Sequence, residues 1–194
     1  AAGWIIPVLL LAGCKQQHQS EQLFTTMDET GIRFTNTIHN SPGFNIFSYR
    51  NFYNGGGVGI GDINNDGLAD VLLTANMGGN KLFLNKGNWN FEDISQKAGF
   101  PANKKEWSTG VVMADINQDG WLDIFICNAG YANNQKPRCQ LYINNKDLSF
   151  TDKAAEYGLL NEGGYTTHAA FFDYDLDGDL DCFIINNSFI PVNT

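Results

Sequence analysis

Residues 62–70 read DINNDGLAD, residues 115–123 read DINQDGWLD, and residues 173–181 read DYDLDGDLD. We call these segments loop 1, loop 2 and loop 3. Each has Asp or Asn at positions 1, 3 and 5, Gly at position 6 and Asp at position 9. A single Asp-Gly pair is typical of an ordinary solvent-exposed turn. Three copies with the same spacing favour a repeated element with a shared chemical role.

The oxygen-bearing side chains at alternate positions of these loops can converge on one point. Ca²⁺ takes about six to eight oxygen ligands, and Gly tolerates the positive φ that a sharp bend requires. Without a cation, two carboxylates about 4 Å apart repel by roughly 4 kcal/mol at an effective dielectric near 20. We therefore predict three calcium sites, each with side-chain ligands at positions 1, 3, 5 and 9 and a backbone carbonyl at position 7. The predicted ligands are Asp62, Asn64, Asp66, Leu68, Asp70, Asp115, Asn117, Asp119, Trp121, Asp123, Asp173, Asp175, Asp177, Asp179 and Asp181.

The three loops differ in charge. Loop 3 offers four side-chain carboxylates at the ligand positions, whereas loops 1 and 2 offer three each, with Asn64 or Asn117 at position 3. Because the number of charged ligands tunes calcium affinity, we predict the tightest binding at loop 3.

The surroundings of the loops exclude an EF-hand. An EF-hand needs a bidentate Glu at position 12, where this chain has Leu73, Ile126 and Ile184. The residues after each loop are β-branched and aromatic, which favours strands. Each loop is therefore predicted to connect two strands rather than two helices.

The loops begin 53 and 58 residues apart, a period typical of propeller blades. Apolar runs rich in Gly and Ala precede the loops and predict inner strands buried on both sides. Further strands are predicted at 81–85 and 140–144. Fourth elements at 91–100 and 150–159 are predicted to start as edge strands and end in a helical turn, and residues 24–34 have a similar pattern. Four antiparallel strands per unit predict an all-β fold built of β-propeller blades.

The segment from Gly55 to Gly99 resembles FG-GAP/VCBS-type repeats, and more narrowly the bacterial relatives of cartilage acidic protein that carry such repeats ahead of an ASPIC/UnbV module. The resemblance covers about residues 24–194. It implies a calcium-bound, integrin-alpha-like propeller of about seven blades. Units at about 55–100, 108–160 and 165–194 would then supply about two and a half blades of an incomplete array, and we expect the chain to be a fragment.

The net charge of −9 is explained largely by the loops, which hold 11 of the 21 acidic residues. Three bound Ca²⁺ ions would bring the formal charge from −9 to −3. The sequence has no basic patch of the kind that would indicate a nucleic-acid partner.

Residues 1–13 form an apolar run that ends at Leu11-Ala12-Gly13, directly before Cys14. The run is shorter than the roughly 20 residues that span a bilayer and suits a signal peptide. The segment Leu11-Ala12-Gly13-Cys14 resembles a bacterial lipobox. This resemblance implies lipidation of Cys14, a polar tether at 14–23 and localisation at the bacterial outer membrane or cell surface. A buried N-terminal strand with a free thiol is the alternative.

No nucleophile–base pair is visible in the sequence, so we predict that the chain is not an enzyme. Trp107, Tyr165 and His168 lie at the starts of predicted inner strands, near the channel face where propellers often bind ligands. They are a possible ligand face; alternatively, the rings pack between blades and His168 caps a loop. Cys127 and Cys139 lie on consecutive strands and form either a disulfide or, as we prefer, two buried thiols.

Three functions are compatible with these features. The first is a calcium-binding propeller module of a cell-envelope lipoprotein that binds a protein or glycan and contacts the membrane only through its lipid. The second is part of a polysaccharide-active enzyme whose catalytic residues lie outside this sequence. The third is an assembly role in a larger surface complex, which a large exposed apolar patch would favour.

Overall fold

A computed structural model describes residues 23–102, 106–130 and 136–188. The regular structure in these ranges consists of ten β-strands in three antiparallel sheets, without a helix. The predicted signal peptide at 1–13, the lipidation site Cys14 and the tether up to residue 22 lie outside the described residues. Across the described ranges, nothing helical is long and apolar enough to cross a membrane.

Two sheets have four strands each, in the order of the chain. The first blade comprises β1 (Val58–Gly61), β2 (Asp70–Leu73), β3 (Lys81–Asn85) and β4 (Phe91–Asp93). The second blade comprises β5 (Ser108–Ala114), β6 (Asp123–Asn128), β7 (Gln140–Asn144) and β8 (Phe150–Asp152). The third unit has β9 (Thr166–Phe172) and β10 (Asp181–Asn186). The predicted all-β fold with four-stranded antiparallel blades is confirmed.

The blades pack face to face through apolar side chains. One cluster lies between the first and second blades and includes Leu72 and Leu82 against Ile124 and Ile126. A second cluster lies between the second blade and the third unit, where Phe125 packs edge-on against Phe171 with ring centroids 5.4 Å apart. The second blade is therefore covered on both faces, and every residue of β6 is buried.

The inner strands are less buried than predicted. In β1, Gly59 faces Val111 and Met113 of the second blade, but Val58 and Ile60 on the opposite face are 60% and 66% exposed. The prediction of strands buried on both sides is therefore wrong for β1 and also for β9, where His168, Ala170 and Phe172 are exposed. The physical reason is that, within the described residues, a sheet packs against only one face of each of these strands.

The fourth elements of the blades end as predicted in a single helical turn. After β4, the Ala98 amide donates to the Ile94 carbonyl at 2.8 Å, and Gly99 follows with φ of 88°. The Phe150 amide of the next blade then donates to the Ala98 carbonyl at 3.1 Å.

Residues 24–34 do not form the outer strand that their pattern suggested. They nevertheless make the equivalent contact to the first blade, because the Phe91 amide donates to the Thr30 carbonyl at 2.8 Å. Gly31 has a φ of 81°, and a Cβ there would lie 2.3 Å from the Phe91 carbonyl oxygen. The segment thus resembles the closing turn of a preceding blade without its strand.

Candidate metal centre in the three acidic loops

Each acidic loop connects the first strand of its sheet to the second. The residue before each loop pairs with the Asp at position 9, as in the pairs Gly61–Asp70 and Ala114–Asp123. The pair Phe172–Asp181 closes loop 3 in the same way. Positions 1 to 9 therefore form one turn whose two ends are held by the sheet, as the sequence predicted.

The Asp at position 1 organises the backbone of each loop. In loop 1, the two carboxylate oxygens of Asp62 accept from the amides of Asp66 at 3.2 Å and Gly67 at 2.7 Å. Asp115 accepts equivalent bonds at 2.9 and 2.8 Å, and Asp173 accepts them at 3.1 and 3.1 Å. The three loops thus share one hydrogen-bonding pattern, in which the backbone wraps around the first carboxylate.

The bend itself depends on two residues with positive φ. Position 4 has φ between 57° and 64° in all three loops, and the Gly at position 6 has φ between 84° and 97°. Left-handed conformations of this kind are easy for Gly and uncommon for other residues. They turn the backbone so that the side chains at positions 1, 3 and 5 lie on the inside of the turn.

The Asp at position 9 is fully buried in loops 1 and 2. Asp70 accepts from the amides of Ile63 at 2.9 Å and Asn85 at 2.8 Å, and Asp123 makes the same two bonds to Ile116 and Asn144. Burial raises the pKa of both carboxyls, although the amide bonds oppose this shift. Position 9 therefore joins the loop to the third strand of its blade.

The donor set at positions 3 and 5 fits a hard cation. Asn64 donates through Nδ2 to Asp66 Oδ2 at 2.9 Å, while its Oδ1 is buried without a hydrogen-bond partner among the described residues. A buried oxygen without a partner is costly, and oxygen is the ligand that Ca²⁺ prefers. In loop 2 the Asn117 amide donates equivalently to Asp119 Oδ2 at 3.1 Å.

Loop 3 has the densest negative charge. Asp173, Asp175 and Asp177 each offer a carboxylate oxygen, and these oxygens lie within 4.8 Å of one another. The charge of Asp177 is the main cause of a raised pKa at Asp179. Such mutual repulsion is what a divalent cation would relieve.

The residues at position 7 contribute backbone amides to the loops. The amides of Leu68, Trp121 and Asp179 donate to the carboxylate at position 5 of their own loop, at 2.9, 3.0 and 3.1 Å. These bonds orient the position-5 carboxylates of all three loops. The position-7 carbonyls remain predicted ligands.

Several residues that act on the loops were not singled out in the sequence. Lys146 Nζ lies 3.2 Å from Asp119 Oδ2, so that loop 2 alone has an ammonium beside a predicted ligand within the described residues. Asn85 and Asn144, which end β3 and β7, donate through their side chains to the position-8 carbonyls of loops 1 and 2. Both third strands end in Asn, and this shared residue was the available signal.

Asn144 also connects the second blade to loop 1. Its Nδ2 lies 2.8 Å from the carbonyl oxygen of Ile63, at position 2 of loop 1. The Asn144 side chain is almost fully buried. Loop 1 is therefore held by its own blade and by the next one.

The residues of the possible ligand face lie in different environments. Trp107 and Tyr165 are 1% and 8% exposed and belong to an aromatic cluster with Tyr49 and Phe52. His168, on β9, is exposed. The two rings thus pack inside the molecule, while His168 is accessible to solvent.

A cavity of about 160 Å³ opens beside this aromatic cluster. Its lining includes Gly57, Gly110 and Thr167, at the starts of the three inner strands, together with Tyr49 and Asn51. The Tyr49 hydroxyl is buried, and no described residue gives it a hydrogen bond of ordinary geometry. Burial raises the pKa of Tyr49 to about 12, against a smaller opposing effect of Asn51.

Cys127 and Cys139 face each other across the β6–β7 hairpin and are both buried free thiols. Cys139 Sγ donates to Thr166 Oγ1 at 3.2 Å. The thiols thus contribute to the core between the second blade and the third unit.

The blades and their connecting loops define a class of protein built from β-propeller repeats with acidic turns. Residues 62–126 match the family of FG-GAP-like repeats. Cartilage acidic protein 1 from Xenopus tropicalis is 34% identical over 139 residues, which cover 70% of this chain and 20% of that protein. The human cartilage acidic protein 1 is 31% identical over 138 residues, covering 69% and 20%.

Human integrin alpha-8 is 27% identical over 187 residues, which cover 89% of this chain and 17% of that protein. The chain therefore spans about a fifth of the length of the curated relatives that it matches. Residues 62–126 form an FG-GAP-like repeat, and the similarity of the chain to cartilage acidic protein 1 and to integrin alpha-8 confirms the resemblance that the sequence predicted. For the matched residues, the similarity to FG-GAP-like repeats also supports the prediction that the chain is not an enzyme.

Proposed function

We propose that this chain is a calcium-stabilised propeller module that mediates binding or adhesion. The observation that carries the proposal is the buried Oδ1 of Asn64, a predicted calcium ligand, which has no hydrogen-bond partner in the part of the chain that the structure describes. The converging carboxylates of Asp173, Asp175 and Asp177 support it independently. When bound, Ca²⁺ would supply positive charge that cancels the repulsion among these groups.

The protein's own residues perform the rest of the work in this proposal. The position-1 Asp holds the backbone bend, and the position-9 Asp holds the loop against its blade. Positions 3 and 5 direct oxygen atoms to the inside of the turn. Because loop 3 has the most carboxylates and loop 2 has Lys146 beside Asp119, we propose that affinity falls from loop 3 to loop 1 to loop 2.

Calcium titration by isothermal calorimetry, with one loop disabled at a time, tests this proposal. Asp66→Ala, Asp119→Ala and Asp177→Ala each remove the position-5 ligand of one loop. We expect three binding events in the unmodified chain, with the largest loss of affinity in Asp177→Ala. Equal losses in the three variants would contradict the ranking, and the absence of any binding heat or stabilisation would contradict the calcium sites themselves.

The partner that we propose is a protein, with a glycan as the second candidate. Homology to an integrin alpha chain supports a protein partner. The cavity beside Tyr49, together with exposed His168, is the place where we propose contact. Binding of surface proteins and glycans on an array, with Thr167→Arg to fill the cavity and Thr151→Arg as an exposed control on β8, tests this location. A ligand that binds equally to both variants would place the contact elsewhere.

We also propose that Cys14 carries a lipid and holds the module at the outer membrane. The support is the sequence alone, since Cys14 follows an apolar run and precedes a polar segment. Metabolic labelling with a palmitate analogue in a bacterial host tests this proposal. Label that persists in Cys14→Ser would contradict it.

A further inference from the structure

The side chain at position 4 of one acidic loop reaches the next loop. Asn65 Nδ2 of loop 1 lies 2.9 Å from the carbonyl oxygen of Gly120, at position 6 of loop 2. Gln118 Nε2 of loop 2 lies 2.5 Å from the carbonyl oxygen of Gly178, at position 6 of loop 3. Position 4 of one loop is thus joined to position 6 of the next loop in both cases, although the Asn65 side chain is one methylene shorter than that of Gln118.

The two glycines whose carbonyls accept these bonds also donate their backbone amides to a predicted calcium ligand. The Gly120 amide donates to Asp115 Oδ2 at 2.8 Å, and the Gly178 amide donates to Asp173 Oδ2 at 3.1 Å. Each Gly is therefore fixed on its carbonyl side by the preceding loop and on its amide side by the first carboxylate of its own loop. A shift of the Gly peptide units would move both bonds.

The donors are equally tied to ligand residues of their own loops. Position 4 lies between positions 3 and 5, whose side chains are hydrogen-bonded to each other in loops 1 and 2. Its backbone is fixed in the left-handed region, with φ of 58° at Asn65 and 57° at Gln118. Ordering of positions 3 and 5 therefore also orders the amide that reaches the next loop.

Loop 3 lacks such a donor. Its position 4 is Leu176, which has the same left-handed backbone, with φ of 64°, but is 85% exposed. Backbone geometry alone therefore does not require an amide at this position. Amides are present at the two loops that have a following loop in the described part of the chain.

We propose that Asn65 and Gln118 are positioning residues that couple the cation sites of neighbouring loops. This inference rests on the proposed calcium function. Calcium binding in one loop orders the Gly at its position 6 or the side-chain amide at its position 4. This ordering reduces the free-energy cost of ordering the neighbouring loop. Because such coupling is reciprocal, each loop raises the affinity of its neighbour by the same factor.

A double-mutant cycle on the full chain tests the coupling between loops 2 and 3. Asp175→Ala disables loop 3 by removing a carboxylate that makes no hydrogen bond to the loop backbone among the described residues. Gln118→Met removes the amide donor at nearly constant length and without adding charge. Calcium affinity at loop 2 is measured by hydrogen-exchange mass spectrometry of residues 115–123 across a calcium titration.

We expect Asp175→Ala to weaken calcium binding at loop 2 by about threefold to tenfold, the range for one hydrogen bond. In the Gln118→Met background the same change should leave loop 2 unaltered. Leu176→Met is the matched control at position 4 and should change neither loop. Equal effects of Asp175→Ala in both backgrounds would overturn the coupling and leave the calcium function standing. If calcium protects no loop in the unmodified chain, the calcium function fails, and the coupling fails with it.

Discussion

Under the proposed calcium function, Asn64 is a single side chain that favours both the cation-free and the cation-bound state of its loop. Its Nδ2 stabilises the cation-free loop by bonding to Asp66, while its Oδ1 is buried and, within residues 23–102, 106–130 and 136–188, has no hydrogen-bond partner. An Asp at this position would lose the first interaction and add a third charge beside Asp62 and Asp66. Loop 3 already has Asp175 at the equivalent position. We therefore propose that loops 1 and 3 differ in how they balance stability without a cation against affinity for calcium.

We predict that Asn64→Asp changes stability in opposite directions with and without calcium. In chelator, the variant should lose about 1–2 kcal/mol of unfolding free energy, because repulsion replaces a hydrogen bond. In calcium, loop 1 should bind about threefold to tenfold more tightly, because charge count tunes affinity. Urea unfolding with calcium or EDTA measures both effects. Asn88→Asp, in the turn between β3 and β4, is the control for added charge and should show neither.

Lys146 gives a second prediction for a single residue. Its ammonium pairs with Asp119 at 3.2 Å, so a cation in loop 2 must compete with a positive charge already present. Lys146→Met should raise calcium affinity at loop 2 by about twofold to fivefold, the range for a partly exposed ion pair. Calorimetric titration measures the change. Lys86→Met, in the corresponding turn of the first blade, should leave loop 2 unaltered, and an equal gain in both variants would indicate a general charge effect.

At the level of elements, the inner strands of adjacent units approach each other at glycines. A Cβ on Gly57 would lie 2.6 Å from the Thr109 carbonyl oxygen, and one on Gly110 would lie 2.5 Å from the Thr167 carbonyl oxygen. Real Cβ atoms do not come this close to backbone. The blades can therefore pack at this spacing only while the positions remain glycine.

We predict that Gly110→Ala destabilises the molecule by about 1–3 kcal/mol, as overpacking does elsewhere. The methyl group would meet backbone of β9, which can move only by separating the second blade from the third unit. Gly43→Ala is the matched control, because among the described residues no atom beyond its two chain neighbours lies within 4 Å of its Cβ position. Chemical unfolding compares the two variants. Similar free energies of unfolding for the two variants would mean that β5 and β9 can move apart without a cost in stability.

The elements that the sequence predicted best are those with a local signal. The bounds of β3 and β7 follow from a short apolar run ending in Asn, and the loops follow from their Asp and Gly spacing. The exposure of Val58 and Ile60 could not be predicted in this way, because it depends on which neighbouring sheet is present. The contact of Lys146 with Asp119 joins residues 27 positions apart in different turns, and no spacing rule connects them.

At the scale of the whole molecule, two clusters of apolar side chains join the three units. In every unit, the acidic loop connects the first strand to the second. The loops therefore follow one another from unit to unit, and the bonds from Asn65 and Gln118 join them in series. With a net charge of −9, the cation-free molecule concentrates repulsion in the loops. We therefore expect bound cations to contribute more to the stability of the three units packed together than to the stability of a single sheet.

Removal of calcium should lower the melting temperature of the full chain substantially. A site that is filled at a calcium concentration 100 times its Kd adds about 2.7 kcal/mol to stability. For a chain of this size each kcal/mol shifts the melting temperature by about 2–4 °C. One saturated loop should therefore account for about 5–10 °C, and coupled loops should be lost together rather than one by one.

Thermal unfolding by circular dichroism in calcium, in EDTA and in sodium chloride of matched ionic strength separates specific binding from screening of the net charge. Equal melting temperatures in calcium and EDTA would mean that the carboxylates are accommodated without a cation, and a stabilisation reproduced by sodium chloride would assign the effect to screening.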